Sequence, residues 1–398
     1  MIKIRRLDDN LNIEGKRVLL RADFNVPING GAITENTRIE KVLPTIKSLI
    51  IKKAKIIIIA HLGRPKGKVV SELTLKPIAK KLSDYLNQDV IFSNESIGTS
   101  VTQSSKKIPN GKVMLLENIR FHKEEELDSA SFAKDLSKIG DIYINEAFPC
   151  SHRAHASVHG ITKHINSFAG QQLIKEVNVI RMLTDNAKKP TTCIIGGSKI
   201  STKSGVLINL IKKMQNIVIV GGMANIFIKY KGYNIGRSLF EKNQENLIGN
   251  IIKESKKNKC NLILPDDVIA SKNHDSKGVL KSLEQINDDD LILDIGEKTL
   301  QNIIKVIDES KTILWNGPAG YFEIDEFITG SKKIAEKISE NTKTKSLVSI
   351  AGGGDTIAAI NKFKCSNGFT YLSTAGGAFL ELLEGKTLPG IKALENNE

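Results

Sequence analysis

The segment Ser346–Thr356 reads Ser-Leu-Val-Ser-Ile-Ala-Gly-Gly-Gly-Asp-Thr, an apolar run that ends in three glycines and two polar residues. The run Ser346–Ile350 predicts a buried strand and Ile357–Phe363 predicts a helix, so the glycines lie at a strand-to-helix turn. Glycine lets the backbone adopt unusual dihedral angles and approach a ligand closely, and the free N–H groups at a helix start attract anions. The segment therefore predicts an anion site at a strand end of an α/β protein.

Asp355 and Thr356 complete this turn. Thr356 can cap the new helix. A carboxylate beside a phosphate is repulsive, and a bridging divalent cation would remove the repulsion, as Mg²⁺ does when it binds one carboxylate plus substrate phosphates. The alternative is an ordinary glycine-rich turn in which Asp355 is only a helix cap, and this stretch alone does not decide between the two.

Short apolar runs recur along the whole chain, each followed by glycine or polar residues and then by helix-like sequence. The runs are Val18–Leu20, Ile56–Ala60, Val113–Leu116, Ile142–Ile144, Cys193–Ile195, Ile217–Val220, Leu262–Leu264, Thr312–Trp315, Ser346–Ile350 and Phe369–Leu372. Amphipathic stretches such as Ile39–Lys53, Leu75–Leu86 and Gly330–Ile338 lie between them. This alternation is typical of parallel sheets covered on both faces. We therefore expect the α/β class, with two doubly wound parallel-sheet (Rossmann-like) domains facing each other across a cleft and ligands bound beyond the carboxyl ends of the strands.

The residues that follow the apolar runs differ between the two halves of the chain. In the first half they are polar and cationic: Arg21, Asp23, Asn25, His61, Arg64, Glu117, Arg120, Asn145, Glu146, His152 and Arg153. In the second half they are rich in glycine: Gly196-Gly197, Gly221-Gly222, Asn316-Gly317-Pro318, Gly352–Gly354 and Ala375-Gly376-Gly377. The first set predicts a site for a small anion, and the second predicts a site where the backbone approaches a nucleotide closely.

The composition bounds the class of protein. A chain of 398 residues favours two domains. Four cysteines without paired spacing, and no signal-peptide core in the first nine residues, favour a cytoplasmic protein without disulfides or a zinc site. The net charge of +14 suggests phosphorylated metabolites or nucleic acid as partners, although lysines scattered over solvated helix faces explain most of it.

The boundary between the halves lies near Phe168–Lys189. Leu173, Val177 and Ile180 recur there at helical spacing, and Pro190 prevents the helix from continuing. We expect an anion-binding domain over residues 1–168, a joining helix over 169–189 and a nucleotide-binding domain over 190–384. The tail, residues 385–398, has too few apolar residues for another unit and is expected to pack back on the first domain.

Several common motifs are absent. Neither a Walker A pattern nor Gly-x-Gly-x-x-Gly occurs. His152, His155 and His159 lack the spacing of a metal site, and a basic pocket around Arg153 is the better interpretation. No serine or cysteine nucleophile has a partnered base, which is compatible with a carboxylate substrate, because a carboxylate is already ionised at neutral pH.

Lys199 and Lys203 are four residues apart after Gly196-Gly197. If a helix begins at Ser198, both ammonium groups project to one side near its positive end, where they suit bridging phosphates. A solvated lysine pair is the alternative.

These motifs together resemble the phosphoglycerate kinase family over essentially the whole chain. The matching first-half segments are Arg21–Pro27, His61–Pro65, Glu117–Phe121 and His152–Ser157. The matching second-half segments are Gly196–Lys203, Gly221–Ala224, Trp315–Pro318, Gly352–Thr356 and Leu388–Gly390. The resemblance implies reversible phosphoryl transfer between 1,3-bisphosphoglycerate with ADP and 3-phosphoglycerate with ATP, with Mg²⁺ accompanying the nucleotide. Transfer would be in line, to a carboxylate, after domain closure. We expect a monomer with no membrane and no specific nucleic-acid partner.

The resemblance assigns the acid-substrate side to the first half. Asp23 and Asn25 would hold the glycerate hydroxyl and carboxyl region. His61 with three arginines would grip the phosphate that does not react; these arginines are Arg64, Arg120 and Arg153. Arg38 would lie beside the carboxyl group and neutralise the transferring phosphoryl group.

The resemblance assigns the nucleotide side to the second half. Lys199 would reach the transferring phosphoryl group, Lys203 the nucleotide phosphates, and Asp355 the Mg²⁺. Glu323 would take the ribose hydroxyls, and the Gly376-Gly377 turn would offer backbone N–H groups to the transition state. The other nucleotide-binding positions implied are Gly221, Gly222, Asn316, Gly352, Gly353, Gly354 and Thr356.

The sequence departs from the family pattern in a few places. Glu146 stands where Asp is usual, Cys150 and Pro149 where small residues are usual, and Tyr321 where Val is usual. Further departures are Glu297, Ala319 and Ala375. None removes a charged catalytic group. Another kinase for a small acidic metabolite would scramble the Arg/His set, which is intact, and a nucleic-acid-binding protein would show aromatics along a basic stripe, whereas only 5% of residues are aromatic.

Overall fold

The computed structural model describes residues 4–7 and 11–395. The chain divides into two compact units, Met1–Val177 with Thr387–Glu398, and Asn178–Lys386. Among the described residues, no helix combines the length and apolar character that crossing a membrane requires.

The first unit contains a six-stranded parallel sheet. Its strands are β1 (Arg17–Arg21), β4 (Lys55–Ile59), β5 (Val90–Ser93), β6 (Val113–Leu116), β7 (Ile142–Asn145) and β8 (Ser167–Ala169), and a small antiparallel hairpin is formed by β2 (Ile28–Asn29) and β3 (Ala32–Ile33). The order across the sheet is β5-β6-β4-β1-β7-β8. The helices are α1 (Thr37–Ile51), α2 (Lys76–Leu86), α3 (Thr99–Lys107), α4 (Lys123–Glu126), α5 (Ala130–Ser137) and α6 (Gln171–Thr184), whose last turns belong to the second unit.

Both faces of this sheet are buried. Along β1, Val18 and Leu20 pack into one apolar cluster, whereas Leu19 between them packs into the cluster on the other face. Ile56 and Ile57 of β4 divide in the same way. Side chains of successive strand residues point to opposite faces, so a strand covered on both faces needs a continuous apolar run. This is the physical basis of the runs in the sequence.

The second unit repeats this architecture. Its parallel sheet contains β9 (Thr191–Ile195), β10 (Asn216–Ile219), β11 (Asn261–Ile263), β15 (Thr312–Asn316), β16 (Val348–Gly352) and β17 (Tyr371–Ser373), in the order β11-β10-β9-β15-β16-β17. A separate antiparallel sheet, in the order β13-β12-β14, contains β12 (Asp267–Ser271), β13 (Val279–Ser282) and β14 (Leu291–Ile295). The helices are α7 (Ser204–Ile211), α8 (Ala224–Tyr230), α9 (Glu245–Lys257), α10 (Glu297–Glu309), α11 (Thr329–Thr344), α12 (Gly354–Lys362) and α13 (Gly376–Leu383).

The tail forms a last short helix, α14 (Pro389–Lys392), within the first unit. The N–H of Gly390 donates to the Ser151 carbonyl at 2.9 Å, and the N–H of Arg5 donates to the Leu394 carbonyl at 2.8 Å. The joining segment is shorter than predicted: residues 167–169 form strand β8, the helix begins at Gln171, and the division between the units falls inside it.

Each parallel sheet has a point at which its strand order reverses, and ligands of such sheets bind outside the carboxyl ends of the strands at that point. In the first unit it lies between β1 and β7, where the N–H of Glu146 donates to the Arg21 carbonyl at 2.9 Å. In the second it lies between β9 and β15, where the N–H of Gly196 donates to the Asn316 carbonyl at 2.9 Å. The topology thus places the polar residues of the first unit and the glycine-rich loops of the second at equivalent points of their own sheets.

The buried carboxylate of Glu146 caps helix α6. It accepts the N–H of Gln172 at 2.9 Å and that of Leu173 at 3.2 Å, and it also accepts the hydroxyl of Thr45 from α1. Gly170 is buried against the same carboxylate, and its N–H donates to the Asn145 carbonyl at 2.8 Å. A glutamate at this position therefore requires a glycine at 170, because a β-carbon there would overlap the carboxylate.

We predict that Gly170→Ala lowers the free energy of unfolding by about 1–3 kcal/mol, because the carboxylate is held by three donors and cannot move aside without losing one. Denaturant unfolding followed by circular dichroism measures this. Gly354→Ala is the control, since its added methyl group meets no atom within 4 Å. Equal stability of the Gly170→Ala variant and the parent chain would contradict the interpretation.

Candidate active site

Strand β1 ends in a set of polar residues that bind one another. Asp23 is buried, and its Oδ2 accepts from Nη1 of Arg38 at 2.7 Å. Its Oδ1 accepts the N–H of Asn25 at 3.1 Å. Because Arg38 lies in the first turn of α1, this ion pair fixes the start of α1 beside the end of β1.

The loop after β4 is held at Gly63. The N–H of Gly63 donates to Oδ1 of Asn25 at 2.8 Å, and its carbonyl accepts from Nη1 of Arg120 at 3.0 Å. Gly63 has a φ of +64°, which favours glycine. These contacts bring the loops after β1, β4 and β6 together, as the strand-end argument predicts.

The remaining predicted cations surround this loop. Arg64 follows Gly63 directly and is exposed, whereas Arg120 is buried on a 3₁₀ turn whose preceding residue, Asn118, accepts its N–H at 3.1 Å. Arg153 is half-buried, with its Nε 3.1 Å from Nε2 of His152. The first unit therefore gathers several guanidinium groups, some of them paired with carboxylates, and such a cluster suits a multiply charged anion.

Two histidines of this cluster are held neutral. Burial, followed by the charges of Arg21 and Arg120, lowers the pKa of His61 well below its usual range. Burial and the same arginines lower the pKa of His155 to about 3. Near neutral pH the positive charge of the cluster thus comes from guanidinium groups and not from these two imidazoles.

No individual role was predicted for the residues of the buried support under this cluster. Nε of Arg21 donates to Oγ of Ser157 at 2.7 Å. Glu125 accepts both the N–H of Ser157, at 2.8 Å, and its hydroxyl, at 2.6 Å. Arg21 could have been identified because it ends a strand next to Asp23. Glu125 gave no signal, since it lies among acidic residues of α4 that resemble a solvated helix start.

The second unit contains a cavity of about 490 Å³ at the carboxyl ends of its strands. Of the nucleotide-binding residues that the family resemblance implies, Gly221, Gly222, Glu323 and Asp355 line it. Other lining residues include Gly197, Leu239, His274, Leu293, Pro318 and Tyr321. Glycine backbone thus meets apolar and aromatic side chains in one cavity, as binding a phosphate-bearing ring compound requires.

Lys203 and Asn316 join the strand ends beside the cavity. Nζ of Lys203 donates to the Gly196 carbonyl at 2.5 Å and to Oδ1 of Asn316 at 2.6 Å. Nδ2 of Asn316 donates to the Gly352 carbonyl at 2.6 Å. Burial lowers the pKa of Lys203 to about 8. These two side chains therefore hold the glycine loops after β9, β15 and β16 in one arrangement.

Two local expectations are wrong. No helix begins at Ser198: residues 201–203 form turns, α7 begins at Ser204 after Lys203, and Lys199 is exposed in an irregular loop. Thr356 does not cap α12, because the cap position of that helix is Gly353. The hydroxyl of Thr356 instead accepts the N–H of Gly317 at 2.7 Å.

The glycines of the loops after β16 and β17 have distinct conformations. Gly353 has a φ of +99°, and a β-carbon there would lie 2.9 Å from Nδ2 of Asn316. Gly354 and Asp355 are exposed in the first turn of α12. Gly376 starts α13 with a φ of +36°, and Gly377 after it is exposed.

Comparison with known proteins relates both half-sites to one family. A sequence model of the phosphoglycerate kinase family matches residues 8–386. The chain belongs to the phosphoglycerate kinase family. The phosphoglycerate kinase of Orientia tsutsugamushi (strain Ikeda) is 46% identical, covering 99% of this chain and 98% of the relative. That of Bartonella bacilliformis is 44% identical with the same coverage. The structure of phosphoglycerate kinase from Coxiella burnetii matches with a TM-score of 0.88 and 39% identity over 97% of each chain.

The family match includes the arginine cluster and the glycine-lined cavity and ends before α14. The cavity also contains a buried acid, Asp294, at the end of β14. Its carboxyl accepts the N–H groups of Gly330 and Ile295, each at 2.8 Å. Burial outweighs these bonds and raises the pKa of Asp294 to about 7. The folded chain thus binds a proton at a pH where an unfolded aspartate has lost it.

We predict that Asp294 makes stability pH-dependent. A raised pKa in the folded state contributes stability below the usual aspartate pKa of about 4, and this contribution is lost as pH rises through about 7. Relative to Asp294→Asn, the wild-type chain should lose on the order of 4 kcal/mol of unfolding free energy between about pH 4 and pH 8.

Urea unfolding of both chains across this range is the measurement. Asp308→Asn is the control. Burial raises the pKa of Asp308, but hydrogen bonds from Lys345, Asn341 and Lys337 outweigh this effect and lower the pKa to about 2. Its titration therefore lies below the range. Parallel profiles of Asp294→Asn and wild type would contradict the assignment.

Proposed function

We propose that this chain transfers a phosphoryl group reversibly between 1,3-bisphosphoglycerate with ADP and 3-phosphoglycerate with ATP. One observation carries the proposal: in a member of the phosphoglycerate kinase family, a guanidinium cluster with neutral histidines lies at the switch point of one sheet, and a glycine-lined cavity lies at that of the other. The first suits a small phosphorylated acid, and the second suits a nucleotide.

The arginine cluster binds 3-phosphoglycerate in this proposal. The phosphate that does not react is bound by Arg64, Arg120 and Arg153. The neutral imidazole of His61 donates a further hydrogen bond to it. Asp23 and Asn25 accept from the glycerate hydroxyl and fix the carboxyl region, while Arg38, held by Asp23 at 2.7 Å, lies beside the carboxylate. A loop fixed at Gly63 keeps these groups in place before substrate arrives, which reduces the entropy lost on binding.

The nucleotide binds at the cavity of the second unit. Backbone of Gly221, Gly222 and Gly352–Gly354 approaches the phosphates, and Glu323 accepts from the ribose hydroxyls. Asn316 and Thr356 act through the loops they hold, since their side chains already bind Gly352 and Gly317. Lys203 lies beside the same loops. Its ammonium group donates to the Gly196 carbonyl and can donate to a phosphate oxygen instead.

Asp355 fits the role of magnesium ligand. It is an exposed carboxylate in the first turn of α12, next to the glycines proposed to contact phosphate. Mg²⁺ prefers one or two carboxylates together with phosphate oxygens, and it neutralises phosphate charge when bound. A magnesium ion at Asp355 would also explain why an acidic side chain stands where the helix start and the glycine loop otherwise favour a bound anion.

The reaction needs no general base, because the attacking carboxylate is ionised near neutral pH. Arg38 and Lys199 neutralise the transferring phosphoryl group, and the N–H groups of Gly376 and Gly377 donate to it as charge spreads over its oxygens. Direct in-line transfer requires reacting atoms about 3–3.5 Å apart, so the substrates must be brought together by domain closure that also excludes water. We further propose that the enzyme acts as a monomer in the cytoplasm, where its four buried, unpaired cysteines stay reduced.

A coupled assay of ATP consumption with 3-phosphoglycerate tests the function. Activity should require both 3-phosphoglycerate and Mg²⁺, and Asp355→Asn should raise the Mg²⁺ concentration needed. Replacing 3-phosphoglycerate with other small acids should abolish turnover. ATP consumption that is indifferent to 3-phosphoglycerate would overturn the proposal.

The cations should divide between binding and catalysis. Arg38→Ala and Lys199→Ala should each lower kcat by about a hundredfold or more, because both face charge that develops during transfer. Arg120→Ala should mainly raise the KM for 3-phosphoglycerate, because its contact is the same before and during transfer. Steady-state kinetics separates the two effects. Equal kcat losses with unchanged KM in all three variants would contradict this division.

Tyr321 should contribute to nucleotide affinity. Its ring is 45% exposed, lines the cavity and packs on His274 with a centroid distance of 4.9 Å. Stacking of an aromatic ring on a base contributes about 1–3 kcal/mol, so Tyr321→Val should weaken ADP binding by about fivefold or more without changing the KM for 3-phosphoglycerate. Calorimetry measures the affinity. Tyr230→Val is the control, because Tyr230 is 46% exposed but is not among the lining residues. Unchanged ADP affinity in Tyr321→Val would mean that the ring only packs locally.

A further inference from the structure

Arg21 is fully buried at the end of β1, between an acidic support and the histidine of the anion site. On one side, Nε donates to Oγ of Ser157 at 2.7 Å, and Nη2 lies 4.0 Å from Oε1 of Glu125. On the other side, Nη2 lies 3.3 Å from Nδ1 of His61. Burying a guanidinium group is costly unless it is paired and hydrogen-bonded, so Ser157 and Glu125 explain how Arg21 is retained beside His61.

The contact between Arg21 and His61 has only one possible direction. A guanidinium group donates and has no acceptor, so Nδ1 of His61 must accept. A neutral imidazole has one acceptor nitrogen and one N–H, and its proton must then lie on Nε2. We propose that Arg21 is a positioning residue that fixes His61 in its Nε2–H tautomer, so that the neutral ring offers an N–H donor to the bound phosphate. The opposite tautomer would present a lone pair to an anion, which is repulsive.

Neighbouring groups favour the same proton arrangement. Sγ of Cys150 lies 3.9 Å from Nδ1 of His61 and 3.8 Å from Nη2 of Arg21. Burial raises the pKa of the Cys150 thiol, so it remains protonated and cannot accept a proton from the ring. The charges of Arg21, Arg120 and Arg38 all oppose a second proton on His61.

The same geometry opposes a metal at this place. Ligand atoms of Asp23, His61 and Cys150 lie within 4.8 Å of one another, a spacing that could hold a metal ion. Arg21 already places a permanent positive charge against two of these atoms, and the carboxylate of Asp23 is paired with Arg38 at 2.7 Å. A guanidinium group therefore takes the place that a cation would need.

The tautomer of His61 can be measured without any substrate. The role of that tautomer in binding phosphate rests on the proposed function. Nitrogen-15 NMR of the uniformly labelled full chain tests the first point, with the His61 signals identified by their loss in His61→Gln. The wild-type chain should show Nε2 protonated and Nδ1 unprotonated from about pH 6 to about pH 8. A wild-type ring protonated on Nδ1, or on both nitrogens, overturns the proposal without the need for any variant.

Variants test whether Arg21 is the cause. In Arg21→Met, His61 should exchange between tautomers, and the KM for 3-phosphoglycerate should rise about tenfold or more with a smaller change in kcat. Ser157→Ala keeps the charge but loses the 2.7 Å acceptor, and it should shift the same signals in the same direction if Arg21→Met does not fold. Arg17→Met is the matched control, because it removes another β1 arginine, which pairs with Asp141 at 2.6 Å, and it should leave the His61 signals unchanged.

The outcomes separate the two proposals. An unaltered tautomer in both Arg21→Met and Ser157→Ala would overturn the role of Arg21, even in a fully active enzyme. A wild-type chain that has the Nε2–H tautomer but does not consume ATP with 3-phosphoglycerate would overturn the proposed function and leave the Arg21 assignment intact.

Discussion

The structure depends on one backbone constraint that both units share. At each switch point, the residue after one central strand donates its N–H to the carbonyl at the end of the neighbouring strand, Glu146 to Arg21 in one unit and Gly196 to Asn316 in the other. These bonds extend the parallel ladder past the last strand residues, so the first loop residues keep a fixed position. Functional groups on such loops are rigid because the sheet beneath them is rigid. Asp23 and Asn25, two of the proposed substrate contacts, lie within four residues of the end of β1, which is held in this way.

The two units then use this edge with opposite chemistry. In the first unit, guanidinium groups are brought together although they repel, and the repulsion is offset by buried acceptors such as Glu125 under Arg21 and by Asp23 beside Arg38. In the second unit, the loops carry few side chains. The ammonium group of Lys203 links two of them through oxygens of Gly196 and Asn316, and the side-chain amide of Asn316 links the third through Gly352. A charged cluster suits a small, multiply charged acid, whereas exposed backbone N–H groups suit a chain of phosphates.

Departures from the family pattern become understandable in this context. Glu146 reaches further than an aspartate would, and its carboxylate caps α6 and binds Thr45 of α1, which makes glycine necessary at 170. Cys150 lies against Arg21 and His61 without removing a charge from the cluster. Tyr321 packs on His274 at the cavity, so the substitution for a small apolar residue adds aromatic surface there. Glu297 is exposed in the first turn of α10, where its carboxylate accepts from Nε2 of Gln301 at 2.6 Å and interacts favourably with the helix dipole.

The sequence by itself determined the class of fold, because strands buried on both faces must be continuous apolar runs, and every predicted run overlaps a strand. It also placed Asp23, Arg120 and the glycine loops at strand ends, since parallel topology brings strand ends to one edge, whereas Arg38 came only from the family resemblance. It missed the β2–β3 hairpin, β5, β8 and the antiparallel sheet of β12–β14. Because β5, β12 and β14 each contain three consecutive apolar residues, an apolar run alone did not show which segments pair in a sheet. Only the tertiary structure decided the start of α7, the partner of Thr356 and the Arg21–Ser157–Glu125 support. Those features depend on contacts between residues far apart in the chain, and neither periodicity nor local propensity encodes which distant atoms will meet.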